Sequence, residues 1–465
     1  MQPVMRRRLA IGAGTLPGSA RVFSSAPSSR PSSLRTSPPQ PLSRPKQTPI
    51  SLPRQHHGRP FSASVPLHQE TQPPSTLLAN GLPSSGISRL RSRSLISLSG
   101  PDAAKFLRGI ITNELPTDYN TLSYAAFLSA QGRILNDVFV YLDPRSKPPS
   151  PDVSPDSFLI EVSTSEAPTL AKHLKRYKLR SKCTISLLPP EQASIYAAWG
   201  CSNDSLKTSP EESGIQIHSY PDPRFAPSGS PWFRLLTFTN PESEPTALET
   251  EKHLPIPDET LPKHPEQVYH LLRYSLGVAE GQSEIPRDSA LPHEFNLDLL
   301  GGIDFHKGCY VGQELTIRTE HRGVVRKRIL PAMLYPSSSS SSPPEQLEYS
   351  DMKDLARKIT PGSNVTKVGG KRGRPAGKWL GGIGSLGLVL GRLEMMTDLK
   401  LPGEAAVGVG MGWKEGDEFE VEVEGQEGET QEGQEKEKVR VKAFVPGWLR
   451  EKLEEKMERK QGRRQ

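Results

Sequence analysis

Before Glu70 the chain contains no aspartate or glutamate, while nine arginines and one lysine fall there. The formal charge of +7 is therefore a property of one end: without those ten, 49 basic residues face 52 acidic ones, a balance of about −3. That distribution removes the case for a nucleic-acid-binding protein. Cysteine is scarce, with only Cys183, Cys201 and Cys309, and no two form a CxxC pair. A disulfide framework is excluded as an organising device, and so is a four-cysteine zinc or cluster site within one chain. No apolar run reaches 18 residues, which argues against a membrane span. Hydrophobic residues make up 34% of the 465 and prolines number 46, so a fair share of the length is expected outside any packed core.

The acid-free leader is rich in Arg and Ser, as mitochondrial transit peptides are, and its LAIGAG stretch is too short and broken for a secretory signal. Residues 1–85 are therefore expected to be a matrix-targeting leader without fixed structure. Order begins at the alternating strand Ser94–Leu98. Gly100-Pro101-Asp102 then opens a helix, with Pro101 suited to its first position and Ala103, Phe106, Leu107, Ile110 and Ile111 on one face. Tyr124–Leu128 and Ile134–Leu142 predict a β-hairpin that sets Asn136 and Val138 on one face and Asp137 and Phe139 on the other. Phe158–Val162 reads as a strand. Ala167–Tyr177 reads as a helix with a Leu170, Leu174, Tyr177 stripe and a basic face of Lys172, Lys175, Arg176, Lys178 and Arg180. Cys183–Leu188 and Ser194–Trp199 are strands that make Cys183 and Cys201 structural. Pro- and Ser-rich inserts near 144–157, 203–230 and 240–264 are expected to be surface loops without fixed structure. A helix over Glu266–Leu276 stops at Gly277, and a proline-punctuated stretch from Ile285 to Asn296 is expected to cross the surface. Beyond Val324, alternating strands separated by turns predict a small β-barrel or sandwich; Trp448–Arg459 reads as a closing amphipathic helix or a charged, frayed tail.

The most informative stretch is Lys307-Gly308-Cys309-Tyr310-Val311-Gly312-Gln313-Glu314. Two glycines flank a thiol, as in a tight loop that lets another group approach its backbone. A helix from Gly312 to about Glu320 follows, with Glu314 in its first turn and Arg318 four residues on, ended by Gly323. Cys309 then lies just ahead of a helix N-terminus with Lys307 two residues back, both favouring the thiolate that binds soft metals or attacks electrophiles. The plainer alternative is a small buried thiol in an ordinary strand-to-helix turn.

The octapeptide KGCYVGQE, together with FLRGIITNEL and the text from Gly277 to Cys309, resembles the YgfZ/glycine-cleavage T-protein superfamily. The resemblance covers residues 86–330 well and 330–450 loosely. Within the YgfZ-like branch it is similar to mitochondrial iron–sulfur assembly factors that work with A-type scaffold proteins. It implies an α+β folding pattern: a folate-binding region over 86–330, a β-barrel-like domain over 331–449 and a charged tail over 450–465. It also implies that Cys309 shares an iron–sulfur cluster with cysteines of the scaffold, as the metal-ligating residue. Lys307, Gly308, Tyr310, Gly312, Gln313, Glu314 and Arg318 would support the loop. Asn113, Arg133, Asp137 and Glu294 become candidates to bind tetrahydrofolate at the mouth of a central cavity, where Asn296 is a further lining candidate.

The T-protein has a pair of acids where this chain reads Asn136-Asp137, so one potential proton acceptor is an amide here. That argues against the alternative function, a folate-dependent aminomethyl transferase, and leaves folate binding open. Asp137 reads equally well as a surface charge of the hairpin. On the composition of the leader, a C-terminally tagged chain should enter the matrix and be shortened; a tagged chain that stays cytosolic at full length would end that reading, as seen by fractionation and blotting.

Overall fold

The computed structural model describes residues 81–462 apart from 147–154, 207–215, 230, 239–255, 257–260, 338–341, 371–373, 401–411 and 424–436. The residues described all belong to one unit, Ala63–Gln465. The leader lies outside the described residues up to Asn80, as do much of the three inserts and the acidic run between the last two strands.

In chain order the elements are β1 (Gly86–Arg89), β2 (Arg93–Ser99), α1 (Ala103–Arg108), β3 (Leu122–Leu128), β4 (Ile134–Leu142) and β5 (Ser157–Ser163). Then come α2 (Ala167–Tyr177), β6 (Thr184–Leu187), β7 (Ala193–Trp199), β8 (Gln216–Pro221), β9 (Trp232–Phe238) and α3 (Glu266–Ser275). The remainder is α4 (Gln313–Arg322), β10 (Lys327–Tyr335), β11 (Asn364–Lys367), β12 (Gly377–Ile383), β13 (Leu386–Arg392), α5 (Leu393–Met396), β14 (Phe419–Glu422), β15 (Lys438–Ala443) and α6 (Gly447–Gly462). Two antiparallel sheets, ordered β3-β4-β5-β2-β6 and β1-β7-β9-β8, precede a closed six-stranded barrel, β10-β13-β12-β11-β14-β15. The α+β class and the barrel both agree with the sequence.

Strand β4 shows why the first sheet is the middle layer. Its period of two sends Val138, Val140 and Leu142 against Phe106 and Leu107 of α1 and Leu170 and Leu174 of α2. Phe139 and Tyr141 point the other way, into a second cluster with Ile195, Trp232, Leu236 and Leu271. That second cluster continues into the barrel, where Trp379 is fully buried. Gly387 and Gly382 make its room, since a Cβ on either would come within 2.4 and 2.7 Å of the Trp379 ring.

Several expectations are corrected. Helix α1 starts at Ala103 with Asp102 as its N-cap, so Pro101 precedes the helix; the Asp102 carboxylate accepts the Lys182 N–H at 2.7 Å. Tyr177 leaves the α2 stripe and is exposed, because the helix ends there and the chain turns through Leu179. The supposed surface insert near 203–230 carries β8 and a 3₁₀ turn, Pro223–Ser228, that buries Arg224 and Phe225. The stretch Ile285–Asn296 does not cross the surface: Ile285, Ala290, His293, Phe295 and Asn296 are all buried. Its backbone pairs with Ile134 through Ala290 and Asp288 and with Ile329 through Glu294, wedging it between the first sheet and the barrel.

Between the two sheets lies a charged core. Arg93 on β2 pairs with Glu161 on β5 at 2.9 Å and with Asp137 on β4 at 3.3 Å. Arg234 on β9 reaches the same Glu161 at 3.5 Å and also pairs with Glu280, which takes Arg224 at 2.8 Å and the Tyr269 hydroxyl at 2.7 Å. Arg224 is held as well by Asp222 at 2.8 Å, and Arg273 makes two bonds of 2.9 Å to Glu284. Burial opposes the charge on Glu280, but Arg234 and Arg224 outweigh it and hold the carboxyl well below the usual range.

Removing one partner of a buried pair strands the other charge, so Glu280→Gln is expected to cost about 3–5 kcal/mol in urea unfolding. Because the folded pKa of Glu280 is depressed, its contribution is complete above about pH 4.3 and fades as the pH falls towards the folded value. The variant should therefore lose less stability than the wild type on acidification below about pH 4.3 in the same measurement.

Candidate functional site

The Cys309 loop is built by fastening everything around the thiol. Asp304 Oδ1 accepts the N–H groups of His306 and Lys307 at 2.7 and 3.2 Å, turning the chain. Lys307 Nζ then donates to the carbonyls of Arg108, Ile111 and Asn113, each at 2.8 Å, at and beyond the C-terminal end of α1. Burial pushes its pKa down to about 8. Tyr310 is buried, with the Lys307 ammonium 5.1 Å from its ring centre, and its N–H donates to Gln313 Oε1 at 3.3 Å. Val311 N–H donates to the Gly109 carbonyl at 3.2 Å. Gly312 caps α4 at φ +81°, where a Cβ would lie 2.4 Å from the Ser129 carbonyl of the β3–β4 turn. Only glycine fits there.

Gly308 and Cys309 are exposed, as is His306 ahead of Lys307. A Cβ on Gly308 would meet nothing within 4 Å. The pair opens on a depression of about 600 Å³ lined also by Ala104, Lys105, Arg108 and Leu115. Cys183 is buried and Cys201 half-buried, so Cys309 is the exposed thiol among the three.

Two expected roles change. Lys307 spends all three N–H donors on carbonyls, so it anchors the loop rather than pairing with the sulfur. Glu314 and Arg318 are both exposed and make no described ion pair with each other; Thr316, which the sequence did not single out, is the buried residue of α4.

The folate candidates are not brought together. Asn113 donates to the carbonyls of Tyr124 at 2.8 Å and Gly301 at 2.7 Å, and Arg133 to that of Ser289 at 2.7 Å. Glu294 accepts from Lys327 at 2.9 Å. Asp137 is 0% exposed, not a surface charge, and is held by Arg93 and by the Gly281 N–H at 3.0 Å. On the opposite face Asn136 accepts from Arg287 at 2.7 Å. Asn296, fully buried, donates to the Ile329 carbonyl at 3.1 Å. Tyr124, Phe139, Tyr141, Tyr220 and Tyr269 are buried with the charged core between the sheets. Besides the depression at Cys309, a cavity of about 260 Å³ lies on the barrel between Asn364, Glu420 and Lys438. Each of the folate candidates holds a partner within the protein, while Arg133 stays exposed with one guanidinium nitrogen on the Ser289 carbonyl.

A second polar cluster, absent from the sequence reading, holds the far end of α4. His293, Asp298 and Glu320 bring ligating atoms within 4.8 Å of one another. The Lys456 ammonium of α6 bonds Asp298 at 2.6 Å and Glu320 at 2.5 Å, while Arg328 holds Asp298 at 2.9 Å, so the acids serve an ion-pair lock. Burial would raise the Glu320 pKa, but His293 and Lys456 bring it down to about 2. Helix α6 buries Trp448, Leu449 and Leu453, and the Trp448 indole N–H donates to the Leu276 carbonyl at 2.9 Å. The residues read as the start of a charged tail are thus helical as far as Gly462.

Replacing Lys307 by Met removes three charge-assisted hydrogen bonds and leaves three carbonyls to find water. It should cost about 1–3 kcal/mol and raise amide exchange at 308–311, measured by hydrogen–deuterium exchange, with little change in the barrel.

No family model matches the chain. Its curated relatives include proteins described as "Iron-sulfur cluster assembly factor IBA57 homolog, mitochondrial". The one from Chaetomium globosum is 46% identical over 440 residues, covering 89% of this chain and 93% of the relative. That from Pyricularia oryzae is 46% identical over 371 residues, covering 79% and 86%. That from Neurospora crassa is 42% identical over 421 residues, covering 86% and 87%. Among solved structures, glycine cleavage system aminomethyltransferase T from Bartonella henselae superimposes with a TM-score of 0.50 at 12% identity, over 78% of this chain and 86% of that one. The structural likeness speaks for the fold alone. The sequence likeness runs nearly end to end and reaches close to half of all matched positions, and on that ground the chain belongs to the IBA57 family of mitochondrial iron–sulfur cluster assembly factors.

Proposed function

We propose that this mitochondrial protein works as an iron–sulfur cluster assembly factor in the matrix, and that Cys309 donates one ligand to a cluster it shares with an A-type scaffold protein during maturation of 4Fe-4S proteins. The cluster is cargo. The observation that carries this reading is the exposure of a single thiol, Cys309, at the open end of an otherwise fastened loop. Iron–sulfur clusters generally take four cysteine ligands, so a chain offering one needs the rest from a partner. The space beside Gly308 supports the same reading, since the fold itself does not require a glycine at that position. Its bareness leaves backbone room for an approaching protein.

The alternative, a folate-dependent aminomethyl transferase, has the fold in its favour. Against it stand the amide at Asn136 and the engagement of Asp137 by Arg93 and Gly281.

The test is reconstitution with iron and sulfide in the presence of an A-type scaffold, followed by visible absorption and cluster lifetime. Cys309→Ser should abolish the shared cluster, whereas Cys183→Ser and Cys201→Ser should leave it. Gly308→Val should weaken it while Cys309 remains titratable by a thiol reagent. Indifference to Cys309→Ser would remove the ligand role, and methylene-folate turnover by the protein alone would promote the transferase.

A further inference from the structure

Large apolar side chains in the open are few among the described residues: Tyr177, Leu179, Leu187, Val324 and Trp413. Two of these five, Tyr177 and Leu179, lie where α2 hands over to β6, and Leu187 ends that strand. Leu179 is 85% exposed and sits at φ +45°, a left-handed conformation that glycine or asparagine adopts with less strain. Packing within the fold does not offset that strain, because so little of the side chain touches the fold.

The charge beside it along the chain is of one sign, with the Asp102 carboxylate on the Lys182 N–H as the acid that meets the turn. Between Glu166 and Glu191 the chain has no acid, yet Lys172, Lys175, Arg176, Lys178, Arg180 and Lys182 fall there. Lys178 closes the turn by donating to the Cys183 carbonyl at 2.7 Å. Lys175, Arg176, Arg180 and Lys182 are exposed, and none of them joins an ion pair among the described residues. A protein interface usually keeps charge out of its dry centre, so a leucine ringed by unpaired cations is ill suited to one. A lipid headgroup layer accepts that combination, since basic side chains meet its phosphates while apolar ones enter the acyl boundary.

We propose that the turn from Tyr177 to Lys182 docks the protein peripherally on an anionic phospholipid surface, with Leu179 and Tyr177 inserted and the flanking lysines and arginines on the headgroups. No helix among the described residues is long and apolar enough to cross a membrane, so the contact is a surface one. The Lys182 backbone bonds Asp102 at the N-cap of α1, along which the Cys309 depression runs from Ala104 to Gly109. Docking would therefore hold the thiol about one short helix away from the lipid.

The experiment uses the full chain with a Leu179→Trp reporter and phosphatidylcholine vesicles with and without phosphatidylglycerol. The basic leader adds the same background to every variant but cannot bury position 179. Expected are a blue shift of the added emission and its quenching by brominated acyl chains with phosphatidylglycerol vesicles only, both lost on Arg176→Glu/Arg180→Glu. Leu179→Asn should melt no lower than the wild type, since the leucine serves nothing inside the fold. Emission at 179 that ignores phosphatidylglycerol, or that shifts equally after charge reversal, overturns the proposal. So does a Leu179→Asn protein that melts markedly lower.

Discussion

Glu280 is the junction on which the architecture turns. Its carboxylate takes Arg224, Arg234 and Tyr269 together, and through Arg234 and Glu161 it is linked to Arg93 and Asp137 in the first sheet. Two sheets that elsewhere meet through aromatic and aliphatic side chains are thus registered at their centre by ion pairs. Desolvating so many charges brings little net stability, but any misregister would leave one of them unpaired at a far greater cost.

That rigid interior is the stage for a small open feature. Lys307 fixes the chain before Cys309 to the end of α1 and the segment after it, while Tyr310 and Gln313 close the chain after it on itself and Gly312 packs on the hairpin turn. Little of the loop is left to order, so any ligand it takes would meet a preorganised site at a lower entropic cost.

How far the sequence announced this depends on whether the signal was local. The span Ala167–Tyr177, the β3–β4 hairpin and the start of α4 at Gly312 were legible, because helical spacing, strand alternation and a left-handed glycine are properties of neighbouring residues. So was the superfamily, through FLRGIITNEL and KGCYVGQE, and the relatives and the fold agree with it. What escaped was set by partners distant in sequence. Arg224 sits in a Pro- and Ser-rich text that reads as loop, and its burial depends on the distant Glu280 and Tyr269 as well as on neighbouring Asp222. The segment Ile285–Asn296 has no periodicity of its own, since its order comes from Ile134 on one side and Ile329 on the other. Lys307 was read with the sulfur two residues away, when its acceptors lay almost two hundred positions earlier in the chain.

The bond from Lys456 to Glu320 has a consequence for biosynthesis. The helix that follows the cysteine loop is clasped by a side chain that lies beyond the last described strand, β15. A ribosome or an import channel releases that lysine after the cysteine and after every described strand, so the loop's support stays incomplete while the sheets can already form. A nonsense codon a short way upstream would spare the cysteine and every sheet, and would still deliver a protein whose thiol stands on a loosened footing.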